Sequence, residues 1–309
     1  SRPDYLAGST EFARGCLLAP DRKVAGRLTN LDQVNRWQGA SKVVDTKRAL
    51  RFGAWYVAEY RILNMRKWIG SILAFGLGNP VLFLASVGLG IGALVDANNG
   101  GAGINGVPYL TFVAPALMAT AGIQAAMDET MFPVMHGFVW EKIFYAINAT
   151  SVSARQVANG VLIAALLRTL LTVLIYYIIL VLFGAVSSPT SWLTIPAAFF
   201  AGMAFGSLML AVAVKVEQDD GFFAIIGRFV VAPMFLFSGT FYPLTILPIY
   251  LQWVGWISPL WHATEIGRFL SYGHEITPLM LLVHFCYLIG ITVLGLRLAY
   301  PMFDKRLAR

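Results

Sequence analysis

Charge is scarce in this chain. Of its 309 residues, 13% are Asp, Glu, Lys or Arg and 58% are hydrophobic. Apolar runs of about 20 residues, enough to cross roughly 30 Å of hydrocarbon, recur along it. That combination excludes an ordinary soluble domain and predicts an integral membrane protein. Cysteine is nearly absent: Cys16 lies in a polar region and Cys286 in an apolar run, so neither a disulfide framework nor a cysteine metal site is expected. The first 50 residues hold no apolar core of signal-peptide length, and no cleavable signal is expected.

Carboxylates are missing from the interiors of the apolar runs. Asp128 and Glu129 stand at one end of a run, Glu217, Asp219 and Asp220 in a turn, and Glu265 and Glu275 in a connecting segment. A proton- or sodium-coupled carrier usually needs buried ionisable groups, which argues against that class. The four histidines, 136, 262, 274 and 284, have no metal-ligand spacing, and no metal or other cofactor is expected on this chain. His284, alone inside a run, is read as a hydrogen-bonding partner of a neighbouring helix. Arg168 and Arg228 lie near helix ends and are expected to snorkel. There is no nucleophile elbow and no GxxxxGK[ST] phosphate loop, so any ATP must be bound by another chain.

What is present is a series of six candidate spans, 69–95, 109–127, 161–185, 192–214, 222–241 and 278–300. Backbone amides in hydrocarbon must bond internally, and alternation is absent, so helices are the reading rather than a barrel. Of the 23 Lys and Arg residues, 13 precede the first span, and Lys142, Arg155, Lys215, Lys305, Arg306 and Arg309 fall on the same side. The opposite connections, 96–108, 186–191 and 242–277, hold Arg268 alone. The positive-inside rule then places both termini in the cytoplasm; the expected setting is a bacterial cell membrane. The basic N-terminal region is interleaved with six acids and forms no compact basic run, which disfavours a nucleic-acid partner.

Three stretches outside the spans carry pattern. Residues 51–68 place Trp55, Ala58, Ile62, Met65 and Ile69 at helical spacing, with Arg51, Glu59, Arg61, Arg66 and Lys67 as the polar members. This predicts an amphipathic helix along the cytoplasmic interface, either an anchor or a lever. The loop 128–160 is half apolar and suggests that the second helix continues after a break at Pro133. It then offers Thr150, Ser151, Val152, Ser153, Ala154, Arg155, Gln156 and Val157 as a capped short helix stopping at Asn159-Gly160. A short helix on a cytoplasmic stalk can pass force to the spans; a plain connection is the alternative. The third stretch is PMFLFSGTFYPLTILPIYLQW, where an apolar run is broken by Gly239, Pro243 and Pro248, with Pro259 beyond. Broken helices of this kind predict a re-entrant external hairpin over 242–276, with Trp253, Trp256 and Trp261 suited to the headgroup layer. Gly88 and Gly92, and Gly202 and Gly206, mark faces for close helix packing within or between subunits.

PMFLFSGTFYPLTILP followed by SPLWHATEIGRFL resembles the fifth-span and external-segment signature of the type-2 ABC transporter permease family, and most of all its nodulation-factor branch, whose members export lipo-oligosaccharides. The resemblance covers roughly residues 52–305. It implies the membrane half of an exporter, with two permease subunits, identical or related, each docking one separate ATP-binding subunit that carries ATP and magnesium. It also implies that 51–68 is the connecting helix and that Ser151–Val157 occupies the place of the coupling helix, with Glu141 as the acid ahead of it. The exit segment would include Phe237, Ser238, Gly239, Phe241, Tyr242, Pro243, Pro248, Trp253, Trp256, Pro259 and His262. The implied cargo is amphipathic, a glycolipid, a lipid-linked saccharide or a hydrophobic drug, taken from the cytoplasm or inner leaflet. Residues 1–50 form an extension that the resemblance does not cover. Two readings from other classes stand beside it: a membrane-embedded lipid-modifying enzyme using His262, Glu265, His274 and Glu275, and a non-catalytic membrane scaffold.

Overall fold

The computed structural model describes residues 46–101, 103–218 and 221–308. The N-terminal extension with Cys16, and Asp219 and Asp220, lie outside the described residues. Residues 50–309 form one compact unit, which is the subject below. It is all helical among the described residues. In chain order come α1 (Thr46–Lys67), α2 (Ile69–Ala85, a π-helical stretch Ser86–Gly92, then Ala93–Asn98), α3 (Tyr109–Thr130), α4 (Phe132–Val139), α5 (Ile143–Asn148) and α6 (Ala154–Leu182). They are followed by α7 (Thr194–Lys215), α8 (Phe222–Ile226, a π-helical stretch Gly227–Val231, then Ala232–Phe237), α9 (Ile249–Ile257), α10 (Pro259–Tyr272) and α11 (Pro278–Leu307).

Among the described residues, five segments are long and apolar enough to cross a membrane: Val81–Asn98, Tyr109–Val139, Ala154–Leu182, Ser191–Lys215 and Pro278–Leu307. The expected fifth span over 222–241 is shorter than the sequence suggested. Its helix stops at Phe237, because Gly239 turns to a φ of 71° and Pro243 follows. At 1.5 Å per residue Phe222–Phe237 covers about 24 Å, short of the roughly 30 Å hydrocarbon layer.

Small residues decide how the bundle closes. α3 and α7 form its buried centre, and they meet backbone to backbone. A Cβ on Gly122 would sit 2.6 Å from the carbonyl oxygen of Ala198, and one on Gly202 would sit 2.6 Å from that of Gly122. The Gly202/Gly206 face is thus a contact within the subunit, Gly206 lying against Ala126. α6 and α11 pack around this pair, and α10 presses Gly267 against Pro115. α2 and α8 are peripheral, and apolar side chains such as Leu82 and Phe229 stand outward at 72% and 75% exposure, as a lipid-facing surface requires.

Prolines punctuate the far end of the bundle. Pro248 precedes α9, Pro259 opens α10 behind a Ser258 cap that accepts from the Leu260 amide at 3.1 Å, and Pro278 opens α11. Proline fits the first helical turn, where no amide donor is needed. The segment 242–276 therefore forms a helical pair, the hairpin below, in which α9 packs on the end of α8 and α10 on α3.

Candidate functional site

At the end of the bundle opposite the hairpin, a cavity of about 1140 Å³ opens between α1, α2, α3, α4, α6 and α8. Its mouth is polar, with Arg61, Lys67, Asp128, His136, Glu141 and Arg168, and its inner wall is apolar and aromatic, with Phe83, Leu117, Tyr176 and Phe235. A buried ion-pair group links three helices at the mouth. Arg61 of α1 pairs with the Glu129 carboxylate of α3 and donates to the carbonyls of Glu129 at 3.0 Å and Pro133 at 3.3 Å. Arg168 of α6 reaches Asp128 at 2.8 Å and Glu129 at 3.4 Å. Each buried charge is thus matched, which offsets the cost of taking it out of water. Two expectations change here. Arg168 is ion-paired inside the bundle instead of snorkelling, and Arg61 is an inward residue of α1 rather than part of a solvated face.

The register of α1 differs accordingly. Its buried line is Gly53, Val57, Ala58 and Arg61, while Trp55 is 50% exposed and Glu59 and Arg66 are exposed, as is Lys67 at the cavity mouth. Gly160 explains the choice: a Cβ there would meet the carbonyl of Ala54 at 2.7 Å as well as the Val57 side chain, so α1 crosses α6 at a glycine. Contrary to the expected stop at Asn159-Gly160, this glycine ends no helix. α6 starts at Ala154 and runs unbroken through Asn159-Gly160, because Gly160 serves close packing and the Asn159 side chain accepts from Tyr300 at 2.6 Å. The predicted cap itself is present. Ser153 and Gln156 form a reciprocal capping box, and Gln156 also donates to the Leu50 carbonyl at 2.7 Å.

The short separate helix is α5, one element earlier. The break after Pro133 is displaced slightly, to Met131, with Pro133 inside the first turn of α4. α4 ends at Val139, and Lys142 adopts a left-handed φ of 54° before α5 begins. Non-glycine residues rarely take that conformation, so no sequence signal marked this turn. Phe144 of α5 is fully buried against Phe138 and Phe303. Glu141 is exposed beside His136 at 3.6 Å, and Thr150, Ser151, Val152 and Ser153 form the loop between α5 and α6. Arg155 points toward Asp304 at 3.5 Å, and Val157 is buried. The last turns of α11 brace this surface, the Arg306 guanidinium lying 4.4 Å over the Phe138 ring.

At the hairpin end, Arg268 is 2% exposed. It stacks 3.8 Å over Phe112 and donates to the Gly239 carbonyl at 2.6 Å and to Glu265 at 3.0 Å. Glu265 also faces His274 at 3.5 Å. Glu265 thus steadies Arg268 within α10, and Arg268 holds α10 to α3 and to the turn after α8. His262 is buried, its Nδ1 2.7 Å from Nδ1 of His284, the inter-helix bond expected for His284. The Trp256 carbonyl, 3.0 Å from His262 Nε2, can only accept. With both rings neutral, His262 carries its proton on Nε2 and His284 donates from Nδ1. Ser238 is buried, the Tyr242 hydroxyl donates to Leu236 at 2.9 Å, and Trp253 and Trp256 stand half-exposed.

The sequence profile of the ABC-2 type transporter family matches residues 55–272. The chain belongs to the ABC-2 type transporter family. Among curated proteins it is similar to Nodulation protein J of Rhizobium leguminosarum bv. viciae, at 26% identity over 253 residues, covering 80% of this chain and 93% of that one. Nodulation protein J of Rhizobium meliloti (strain 1021) is 27% identical over 229 residues, covering 73% and 84%. That of Sinorhizobium fredii is 26% identical over 216 residues, covering 69% and 79%. In this ABC-2 transporter the matched region runs from α1 to the end of α10. It takes in the cavity, the ion-pair group at its mouth, α5 and the hairpin. It is thus a membrane subunit of the ABC transporter class.

Proposed function

We propose that this chain is the permease subunit of an ATP-driven exporter that carries an amphipathic lipid, glycolipid or lipid-linked saccharide from the cytoplasmic side through the α1–α4 cavity. The observation that carries the reading is the two-part lining of that cavity, charged at the mouth and aromatic within. Its volume of about 1140 Å³ accommodates a cargo with both a polar head and an acyl chain. The basic residues cluster at the α1 end, which supports a cytoplasmic placing of that end and of both termini.

A partner must supply the ATP chemistry, with magnesium, on its own chain. We assign its docking surface to α5 and the flanking loop 149–153 rather than to a separate helix at Ser151–Val157. Phe144 anchors α5 to the bundle while Tyr145 and Thr150 remain accessible. Motion of α5 would reach the cavity through α4, whose His136 lines the mouth. Two such permease subunits, alike or related, would pair through the outward faces of α2 and α8.

The test has two arms. Purification from the native membrane in mild detergent recovers a separate ATPase subunit, and a Thr150→Cys variant cross-links to it. A photoactivatable glycolipid labels the cavity wall at Leu117 or Thr120, and a hydrophobic dye competes weakly. Recovery of the chain without an ATPase after gentle cross-linking sinks the transporter assembly, and dye labelling without glycolipid labelling replaces the cargo by a drug.

A further inference from the structure

Aromatic rings stand at the inner end of the cavity. Phe83 of α2 and Phe235 of α8 line its inner wall and meet at a ring-centroid distance of 6.2 Å. Phe241, in the turn beyond α8, lies against both, at 6.2 Å from Phe83 and 5.1 Å from Phe235. Edge-on and tilted contacts of this kind fit the aromatic quadrupole, and the three rings offer a cargo only apolar surface.

The turn carrying Phe241 is held from outside. Ser238 ends the helix, Gly239 takes a left-handed φ of 71°, and two backbone carbonyls of the turn are claimed by other elements. Gly239 accepts from Arg268 Nη2 at 2.6 Å, and Phe241 accepts from the Tyr109 hydroxyl at 3.1 Å. The remaining contacts of Arg268 are to Phe112 of α3 and to Glu265 of its own helix. The guanidinium therefore ties the turn to α3 and α10, two elements packed on one another, while α2 and α8 remain peripheral.

We propose that Phe83, Phe235 and Phe241 form the gate between the cavity and the hairpin end, and that Arg268 is the positioning residue that holds this gate shut. The proposal rests on the reading of the cavity as the cargo path, and it places the moving part in the turn 238–241. A shift of that turn away from α3 strips a buried guanidinium of one charge-assisted acceptor. The closed state is thereby favoured at rest. The leading part of a cargo that passes is apolar, since no ring of the gate offers a hydrogen bond.

The test measures access rather than transport. In a background with Cys16→Ser and Cys286→Ser, a single Thr120→Cys reporter sits in the cavity wall. Membrane-impermeant maleimide is added to sealed vesicles from the hairpin side, and separately from the α1 side. With the gate intact, labelling from the hairpin side is slow. Phe241→Ala and Arg268→Met raise it at least ten-fold, Arg268→Lys gives an intermediate rise, and labelling from the α1 side is unchanged in all of them. Tyr109→Phe, which removes one hydroxyl, gives a smaller rise and carries the latch arm if Arg268→Met fails to insert. Unchanged hairpin-side labelling in Phe241→Ala, with normal insertion and a monodisperse profile, overturns the gate. Labelling raised by Phe241→Ala but not by the Arg268 or Tyr109 variants overturns the latch. The cargo reading is read out separately: a fluorescent phospholipid that fails to protect the reporter, although the gate variants open, refutes the cavity as the cargo path and leaves the gate standing.

Discussion

Replacing Glu129 by Gln removes one charge and almost no volume, and it tests whether the buried group at the cavity mouth fastens α1 to the bundle. Glu129 is 3% exposed and Arg61 7%. Removing one partner of a buried pair costs about 3–5 kcal/mol, because the other charge stays behind. Arg61 retains the carbonyls of Glu129 and Pro133, and Arg168 retains Asp128. The expected loss therefore lies at the lower end, about 3 kcal/mol. Arg61→Met should cost less, about 1.5–3 kcal/mol, since Glu129 keeps Arg168. In the double variant the two losses should fall short of their sum by about 0.5–3 kcal/mol, the range for residues in one network. Unfolding of the purified chain in mild detergent, followed by tryptophan fluorescence, measures all four corners of the cycle. Hydrogen exchange over residues 50–67 supplies the local readout and should accelerate in both single variants. A Glu129→Gln variant within about 0.5 kcal/mol of the parent, the spread typical of neutral surface changes, or a strictly additive cycle, would refute the claim that this pair holds α1.

Gly202→Val should destabilise the bundle by about 1–3 kcal/mol, the usual penalty for overpacking, because its side chain meets the Gly122 carbonyl; a parent-like melting temperature would contradict backbone contact there. Ser153→Ala removes the α6 cap and should cost about 1 kcal/mol, with faster exchange at the Gln156 amide. His284→Leu leaves His262 Nδ1 without a donor in an apolar setting. It should cost about 1–3 kcal/mol, visible as loss of the paired imidazole signals in nitrogen NMR; unchanged His262 signals would show that the two rings are not bonded.

Hydropathy made most of the helices readable, since runs such as 192–214 need only length and composition to be recognised. The breaks after α8 were legible because Gly239, Pro243, Pro248 and Pro259 follow one another closely, whereas the isolated Pro115 and Pro301 sit inside continuous α3 and α11. What pattern missed depends on partners distant in sequence. Arg61 and Glu129 are 68 residues apart, and nothing local distinguishes Arg61 from the outward Arg66. Gly160 has the same local signature whether it ends a helix or admits a neighbour, and only the approach of Val57 tells which. The turn at Lys142 is held by the burial of Phe144 behind it, so α5 could not be found from turn residues. Arg268 was the lone cation of its side and so fitted the topology count, but its stacking on Phe112 needed the fold.

Both helices that wall the cavity at the periphery contain a π-helical stretch, Ser86–Gly92 in α2 and Gly227–Val231 in α8; the central α3 and α7 contain none among the described residues. A π turn holds one residue more than an α turn can accommodate. Passing that surplus along the helix turns the residues it passes by about 100°, one residue's share of a 3.6-residue turn, while the backbone stays hydrogen-bonded. Phe235 stands one turn past the surplus in α8, and Phe83 one turn before that in α2. A wall ring can therefore be swung by local rewinding alone, and the bundle axis need not tilt for the cavity to change its lining.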